Sequence, residues 1–142
     1  DRLDMVYLES VRYNKNVALR AVAAGQRVPI ERTSLGLAWI ARLDAQSQEN
    51  ILNDLRKQKI KNWAAIEKDI RQAIASIEKK SYCQASWLPE ISAISTTVSL
   101  PQGRFASLNF SSPAESNLNK VLEAYSVHLL ELRDKIEAEI QQ

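Results

Sequence analysis

The chain has 142 residues, which is enough for one domain with a sizeable core. Its 19 basic and 17 acidic residues are spread along the sequence, and the net charge of +2 is too balanced to indicate binding to nucleic acid or to a membrane surface. A single cysteine, Cys83, excludes an internal disulfide framework and is typical of a reducing, cytoplasmic compartment, and no run of eighteen apolar residues is present to span a membrane.

The first half of the chain predicts two strands followed by three helices. Two short segments of strand composition, joined by a hairpin loop, give the strands, and apolar residues at helical spacing give the helices. Thr33 and Ser34 are both good N-cap residues, so the first helix is expected to begin at one of them. The predicted strands are Asp4–Ser10 and Asn16–Val22. The first helix is expected to start near Thr33 or Ser34, the second to run from Ser47 to about Gln58, and the third to begin after Asn62 and end near Ser81.

Two strands joined by a tight hairpin follow, and the hairpin determines which side chains share a face. Pro101 and Gly103 at the ends of a three-residue loop suit a type I turn followed by a left-handed glycine. This loop places Leu100 opposite Arg104, and alternation along each strand then assigns the faces. One face is mostly apolar: Ile94, Thr96, Val98, Leu100, Ala106, Leu108 and Phe110. The other carries small, uncharged side chains: Ala93, Ser95, Thr97, Ser99, Ser107, Asn109 and Ser111.

The small polar face has interpretations that the sequence leaves open. A solvated face normally carries lysine, glutamate or arginine, whereas small hydroxyls and one amide indicate a concave surface with room for a ligand. The alternatives are a solvated face that happens to be rich in serine and threonine, or a close contact between the sheet and a helix.

Gly36 lies inside the predicted first helix, where glycine costs about 1 kcal/mol relative to alanine. The helix is apolar nearly all round and is therefore expected to be buried. Gly36 could expose backbone N–H groups at the positive end of the helix dipole for an anion, or it could allow close packing against the sheet. Both roles can hold together, because a helix start beside a small polar sheet face outlines a pocket for a small carboxylate.

The last helix is predicted to be long, and its start resembles a capping box at Ser112–Glu115 with Pro113 as the first helical residue. Nothing in the sequence indicates catalysis: His128 has no partner at a recognised motif spacing, and Cys83 has no CxxC partner and is by default a buried, inert thiol. We therefore expect no enzyme activity, no cofactor and no metal site. The apolar face of this helix is Leu118, Val121, Leu122, Tyr125, Leu129, Leu132, Ile136 and Ile140.

Two long stretches of the chain resemble the effector-binding domain of IclR-type bacterial transcription regulators. The first runs from Met5 to Leu43 and contains a glycine-x-arginine-x-proline pattern and a helix start rich in small residues. Its matching positions are Gly25, Arg27, Pro29, Thr33, Ser34, Gly36 and Ala38. The second runs from Ser81 to Glu115 and matches at Tyr82, Cys83, Trp87, Pro89, Glu90, Ile91, Ala93 and Ile94.

This resemblance implies an α+β fold of the GAF or profilin type, with an antiparallel sheet flanked by helices and a long C-terminal helix. Residues 1–142 would form one effector-binding domain that senses a small organic acid and assembles into a homodimer or homotetramer. DNA would be bound only through a winged helix-turn-helix domain that this sequence lacks, and the ligand would control operator binding allosterically, in repression or activation. The alternative is a GAF- or PAS-like sensor module attached to a different output domain.

The resemblance also places the ligand by position, between the start of the first helix and the strand hairpin. The helix start supplies Ser34, Leu35 and Gly36, and the strands supply Thr97, Asn109 and Ser111, which lie on the small polar face. Further candidates for the pocket wall are Trp39, Cys83 and Trp87. Thr97 stands where many members have proline, and Ser81 and Ser112 where many have glycine, so the effector of a known member should not be transferred to this chain.

Overall fold

The computed structural model describes residues 3–11, 24–113 and 118–141. These residues form an α+β fold with antiparallel strands and a long C-terminal helix, which confirms the predicted class. The second predicted strand, Asn16–Val22, lies outside the described residues. The elements are β1 Asp4–Val6, β2 Arg27–Pro29, α1 Ser34–Arg42, α2 Ala45–Lys57, α3 Trp63–Lys80, β3 Cys83–Ala85, β4 Ile91–Ser99, β5 Phe105–Pro113 and α4 Leu118–Ile140.

The described strands form two antiparallel sheets, β1–β2 and β3–β4–β5. The predicted hairpin register is confirmed, since Val98 pairs with Ala106 and the Leu100 N–H donates to the Arg104 carbonyl at 2.8 Å. The predicted turn type is wrong, because Gln102 has φ 65° and ψ 30°, outside the range of a type I turn. The loop therefore contains two successive left-handed residues, Gln102 and Gly103.

The two faces of the larger sheet contact different helices. On the small polar face, the Ser95 hydroxyl donates to Ser34 Oγ at 2.7 Å and the Ser107 hydroxyl donates to the Leu35 carbonyl at 2.8 Å, so α1 packs directly on this face. On the apolar face, Ile94 packs with Leu122 and Leu129 of α4. The sheet is thus covered by α1 on one side and by α4 on the other.

The larger apolar core lies on the α1 side of the sheet. Ile40 in α1, Leu52 and Leu55 in α2 and Ile70 in α3 have no measurable exposure to solvent. Burying a side chain of this size contributes about 1.5–3 kcal/mol each. The core therefore fixes α1 between the sheet and α3, and it holds the start of α1 against the strands.

Helices α1 and α2 each begin after a residue whose side chain accepts a hydrogen bond from an N–H group in the first turn of the helix. The Thr33 side chain accepts the Gly36 N–H at 3.2 Å, which confirms the predicted start of α1. Asp44 accepts the Ser47 N–H at 2.9 Å, so α2 begins two residues before the predicted Ser47.

The predicted start of the last helix is wrong. Ser112 and Pro113 are the final residues of β5, where they pair with Ser92 and Ile91, so they cannot form a capping box. Strand β5 continues to Pro113, past Ser112, where the Ser-Pro pattern predicts the start of a helix. None of the helices in the described part of the chain combines the length and the apolar character needed to cross a bilayer.

Candidate ligand-binding site

Gly36 allows two backbone segments to approach each other closely. A Cβ atom built on Gly36 would lie 2.6 Å from Ile30 Cα, and real Cβ atoms do not come that close to backbone atoms. Its N–H is already bonded to the Thr33 side chain. Gly36 therefore packs against the chain that follows β2 rather than against the sheet, and its N–H group is not available to a ligand.

A cavity of about 110 Å³ lies where the β1–β2 pair, the start of α1, the β3–β4 connection and strands β4 and β5 meet. None of the described residues that line it is a lysine, arginine, aspartate, glutamate or histidine. Some of the lining side chains are apolar, and others carry hydroxyl or amide groups. The lining residues are Tyr7, Gln26, Val28, Thr33, Ser34, Leu35, Ala85, Trp87, Leu88, Ile91, Ala93, Asn109 and Ser111.

Five of the nine predicted site residues line this cavity: Ser34, Leu35, Trp87, Asn109 and Ser111. The structure does not bring the other four into it. Gly36 is bonded to Thr33, and Trp39 packs against Phe105 with ring centroids 5.7 Å apart. Thr97 pairs with Ser107 further along the sheet, and Cys83 is buried with its thiol donating to the Ser34 carbonyl at 3.6 Å.

Several lining residues carry no site signal in the sequence. Tyr7 directly follows β1, Gln26 directly precedes β2 and Val28 lies in β2, so their position at the cavity depends on packing between distant parts of the chain. Ala93 was placed on the small polar face by the hairpin register, so that register could have identified it. Leu88 and Ile91 follow Trp87 closely, but their spacing alone does not distinguish a cavity wall from core packing.

The polar part of the cavity is built from neutral hydrogen-bonding groups. Burial raises the pKa of the Tyr7 hydroxyl, and a side-chain hydrogen bond with Asn109 opposes part of that rise. Tyr7 is therefore protonated at physiological pH and can donate. The N–H groups of Ser34 and Leu35, the first two of α1, have no acceptor among the residues that the structure describes. Such groups at the positive end of a helix dipole favour an anion.

Ser34, one of the hydroxyl-bearing residues that line the cavity, accepts a hydrogen bond from Ser95, and in the described part of the chain no hydrogen bond joins either residue to a histidine or a carboxylate. Within residues 3–11, 24–113 and 118–141, no three histidine, cysteine, aspartate or glutamate side chains come together as metal ligands would.

Cys83 is expected to resist alkylation in the folded protein. Burial raises the pKa of its thiol to about 12. Since only the thiolate reacts and a free cysteine has a pKa of about 8.5, iodoacetamide at pH 8 should modify the folded chain on the order of a thousandfold more slowly than the unfolded chain. Mass spectrometry of the folded and guanidinium-unfolded protein measures both rates. Equal rates in the two samples would contradict the burial of this thiol.

No protein-family model and no curated protein sequence matches the chain. Solved structures do match in fold. An IclR family transcriptional regulator from Brucella abortus superposes with a TM-score of 0.89 at 24% identity over 99% of this chain. An IclR homolog from Microbacterium hydrocarbonoxydans, solved in complex with 4-hydroxybenzoate, gives 0.73 at 19% identity over 99% of this chain.

A third structure, the C-terminal domain of a putative transcriptional regulator from Vibrio cholerae, gives a TM-score of 0.66 at 17% identity over 94% of this chain. The chain spans 54% of the Brucella protein, 57% of the Microbacterium protein and 79% of the Vibrio domain. This chain therefore has the fold that IclR-type transcription regulators contain in about half of their length.

Proposed function

We propose that this chain is the effector-binding domain of an IclR-type transcription regulator and that it binds a small organic acid. The observation that carries the proposal is a cavity with no charged side chain among its described lining residues, beside the start of α1, where the N–H groups of Ser34 and Leu35 have no acceptor in the described part of the chain. The shared fold supports the regulatory role, and the aromatic acid bound by the Microbacterium protein supports the class of ligand.

The cavity suggests how such an acid is held. The carboxylate would accept hydrogen bonds from the Ser34 and Leu35 N–H groups. No charged side chain has to lose its hydration when these groups bind it. A polar substituent of the ligand would bond to the Asn109 amide or to Tyr7, and the apolar part would contact Val28, among other side chains. A cavity of about 110 Å³ is smaller than the roughly 150 Å³ engineered cavity that binds benzene, so an enclosed ligand is a short-chain acid.

The mechanism we propose is a shift between conformations. The cavity is lined from β2, from α1 and from β5, so a ligand in it favours the arrangement in which these elements are close. In the full-length protein, a cytoplasmic homodimer or homotetramer, this preference would change the affinity of a winged helix-turn-helix domain for operator DNA.

The proposal predicts that short carboxylates stabilise the chain and that their amides do not. An acid at 100 times its Kd should raise the free energy of unfolding by about 2.7 kcal/mol, which is roughly 5–15 °C in melting temperature. A thermal-shift screen with acetate, glycolate, lactate and pyruvate measures this, and acetamide and lactamide serve as matched uncharged controls. Equal shifts for acids and amides, or no shift with any acid at concentrations up to their solubility, would contradict the proposal.

A further inference from the structure

A second and larger concavity lies on the other side of the β3–β4 connection. It has a volume of about 640 Å³, within the range of about 300–1,000 Å³ typical of small-molecule pockets, whereas the inner cavity is well below that range. We call it the outer groove. Its described lining includes the apolar side chains Leu37 and Ile66 and the charged residues Glu31, Arg32, Lys61 and Asp69.

Ala85 and Trp87 line both the inner cavity and the outer groove, so these two residues form the partition between them. Ala85 ends β3 and is held in the sheet by pairing with Ala93. Trp87 lies outside the strands, in the connection between β3 and β4. The sheet therefore fixes Ala85 in the partition, but it does not fix Trp87.

The Trp87 side chain is weakly held. It is 39% exposed, and it has no hydrogen bond and no ring contact among the described residues. It also belongs to neither apolar core. The backbone on either side is better restrained, since Ser86 Oγ lies 2.9 Å from Ser92 Oγ and the Ile91 N–H donates to the Leu88 carbonyl at 3.0 Å. Rotation of the indole can thus join the two spaces without unfolding the connection.

We infer that Trp87 determines the size of acid that the inner cavity accepts. With the indole in place, only a short acid fits behind it. With the indole turned away, a larger acid keeps its carboxylate at the start of α1 and extends its apolar part into the outer groove, against Leu37 and Ile66. This inference rests on the proposed function of the inner cavity.

The test compares the affinities of acetate and benzoate for the chain and for Trp87→Ala, by ligand-observed NMR titration. Removing the indole should improve the affinity for benzoate relative to acetate by tenfold or more. Acetate should also displace benzoate from the variant, because both carboxylates use the same N–H groups. Phe110→Ala is the matched control, since Phe110 is 41% exposed and lines neither space. It should leave the ratio of the two affinities unchanged.

The outcomes separate the inference from the proposed function. If acetate binds both proteins and the ratio is unchanged in Trp87→Ala, the partition does not limit ligand size and the inference is overturned. Benzoate binding that acetate does not displace overturns it as well. If neither acid binds either protein, the proposed function fails and the inference fails with it. Trp87→Phe keeps a smaller ring and should therefore raise the affinity for benzoate relative to acetate by less than Trp87→Ala does. It replaces the alanine variant if that variant does not fold.

Discussion

Gly36→Ala is expected to destabilise the fold by about 3 kcal/mol, or roughly 10 °C in melting temperature. Helix propensity alone predicts the opposite, because alanine in a helix interior is favoured over glycine by about 1 kcal/mol. The added methyl group would collide with the Ile30 backbone, where the nearest Cα is 2.6 Å from the new Cβ. Backbone atoms cannot turn aside as a flexible side chain can, so α1 or the chain after β2 must shift.

Chemical and thermal unfolding of Gly36→Ala measure this effect, and Gly103→Ala is the control. Gly103 has φ +70° and nothing within 4 Å of a built Cβ, so its substitution adds only backbone strain, about 1–2 kcal/mol. We expect Gly36→Ala to be the less stable variant although its backbone is helical. A Gly36→Ala protein as stable as the original chain would show that the close approach to Ile30 does not exist in solution.

Features that depend on neighbouring residues were predictable from the sequence. The register of β4 and β5 follows from the position of Pro101 and Gly103, and the side-chain alternation follows from the register. The start of α1 follows from Thr33, whose hydroxyl reaches an N–H three residues on. In each case the physical cause lies within a few residues of the feature.

Features that depend on contacts between distant segments were not predictable. One face of the hairpin carries the same small polar side chains along its length, yet Ser95 and Ser107 bond to α1 while Asn109 and Ser111 line the cavity. A close contact between the sheet and a helix is therefore what the structure shows at Ser95 and Ser107, whereas the part with Asn109 and Ser111 borders a cavity. The boundary between the part of this face that contacts α1 and the part that lines the cavity depends on where α1 crosses the strands. The composition of the strands does not specify that position.

The same reason accounts for the site residues that the sequence misplaced or missed. Trp39 follows the start of α1 by five residues, but the helix turns it towards Phe105. Tyr7 lies at the site beside Asn109, which its hydroxyl hydrogen-bonds and which comes about a hundred residues later in the chain. A single sequence contains no signal for either contact.

Asn109→Leu is expected to remove about half or more of the stabilisation by a short acid while changing the stability of the ligand-free chain by less than about 1 kcal/mol. Leucine has the same branched skeleton of side-chain heavy atoms as asparagine, but it is bulkier, cannot donate or accept, and fills part of the inner cavity. Losing the bond to Tyr7 costs about 1 kcal/mol, and burying an apolar side chain at this half-buried position offsets it.

The measurement is the thermal shift caused by whichever acid stabilises the original chain most, with Thr97→Val as the matched control. Thr97 lies on the same face of the sheet but outside the cavity, and valine replaces threonine at almost equal volume. Thr97→Val should keep the full shift, whereas Asn109→Leu should bind the acid at least about tenfold more weakly, a loss of about 1.4 kcal/mol or more. If Asn109→Leu binds as tightly as the original chain, the acid is not in this cavity. If Asn109→Leu fails to fold, the bond between Asn109 and Tyr7 holds β5 and the end of β1 together, and Asn109 is a structural residue rather than a ligand contact.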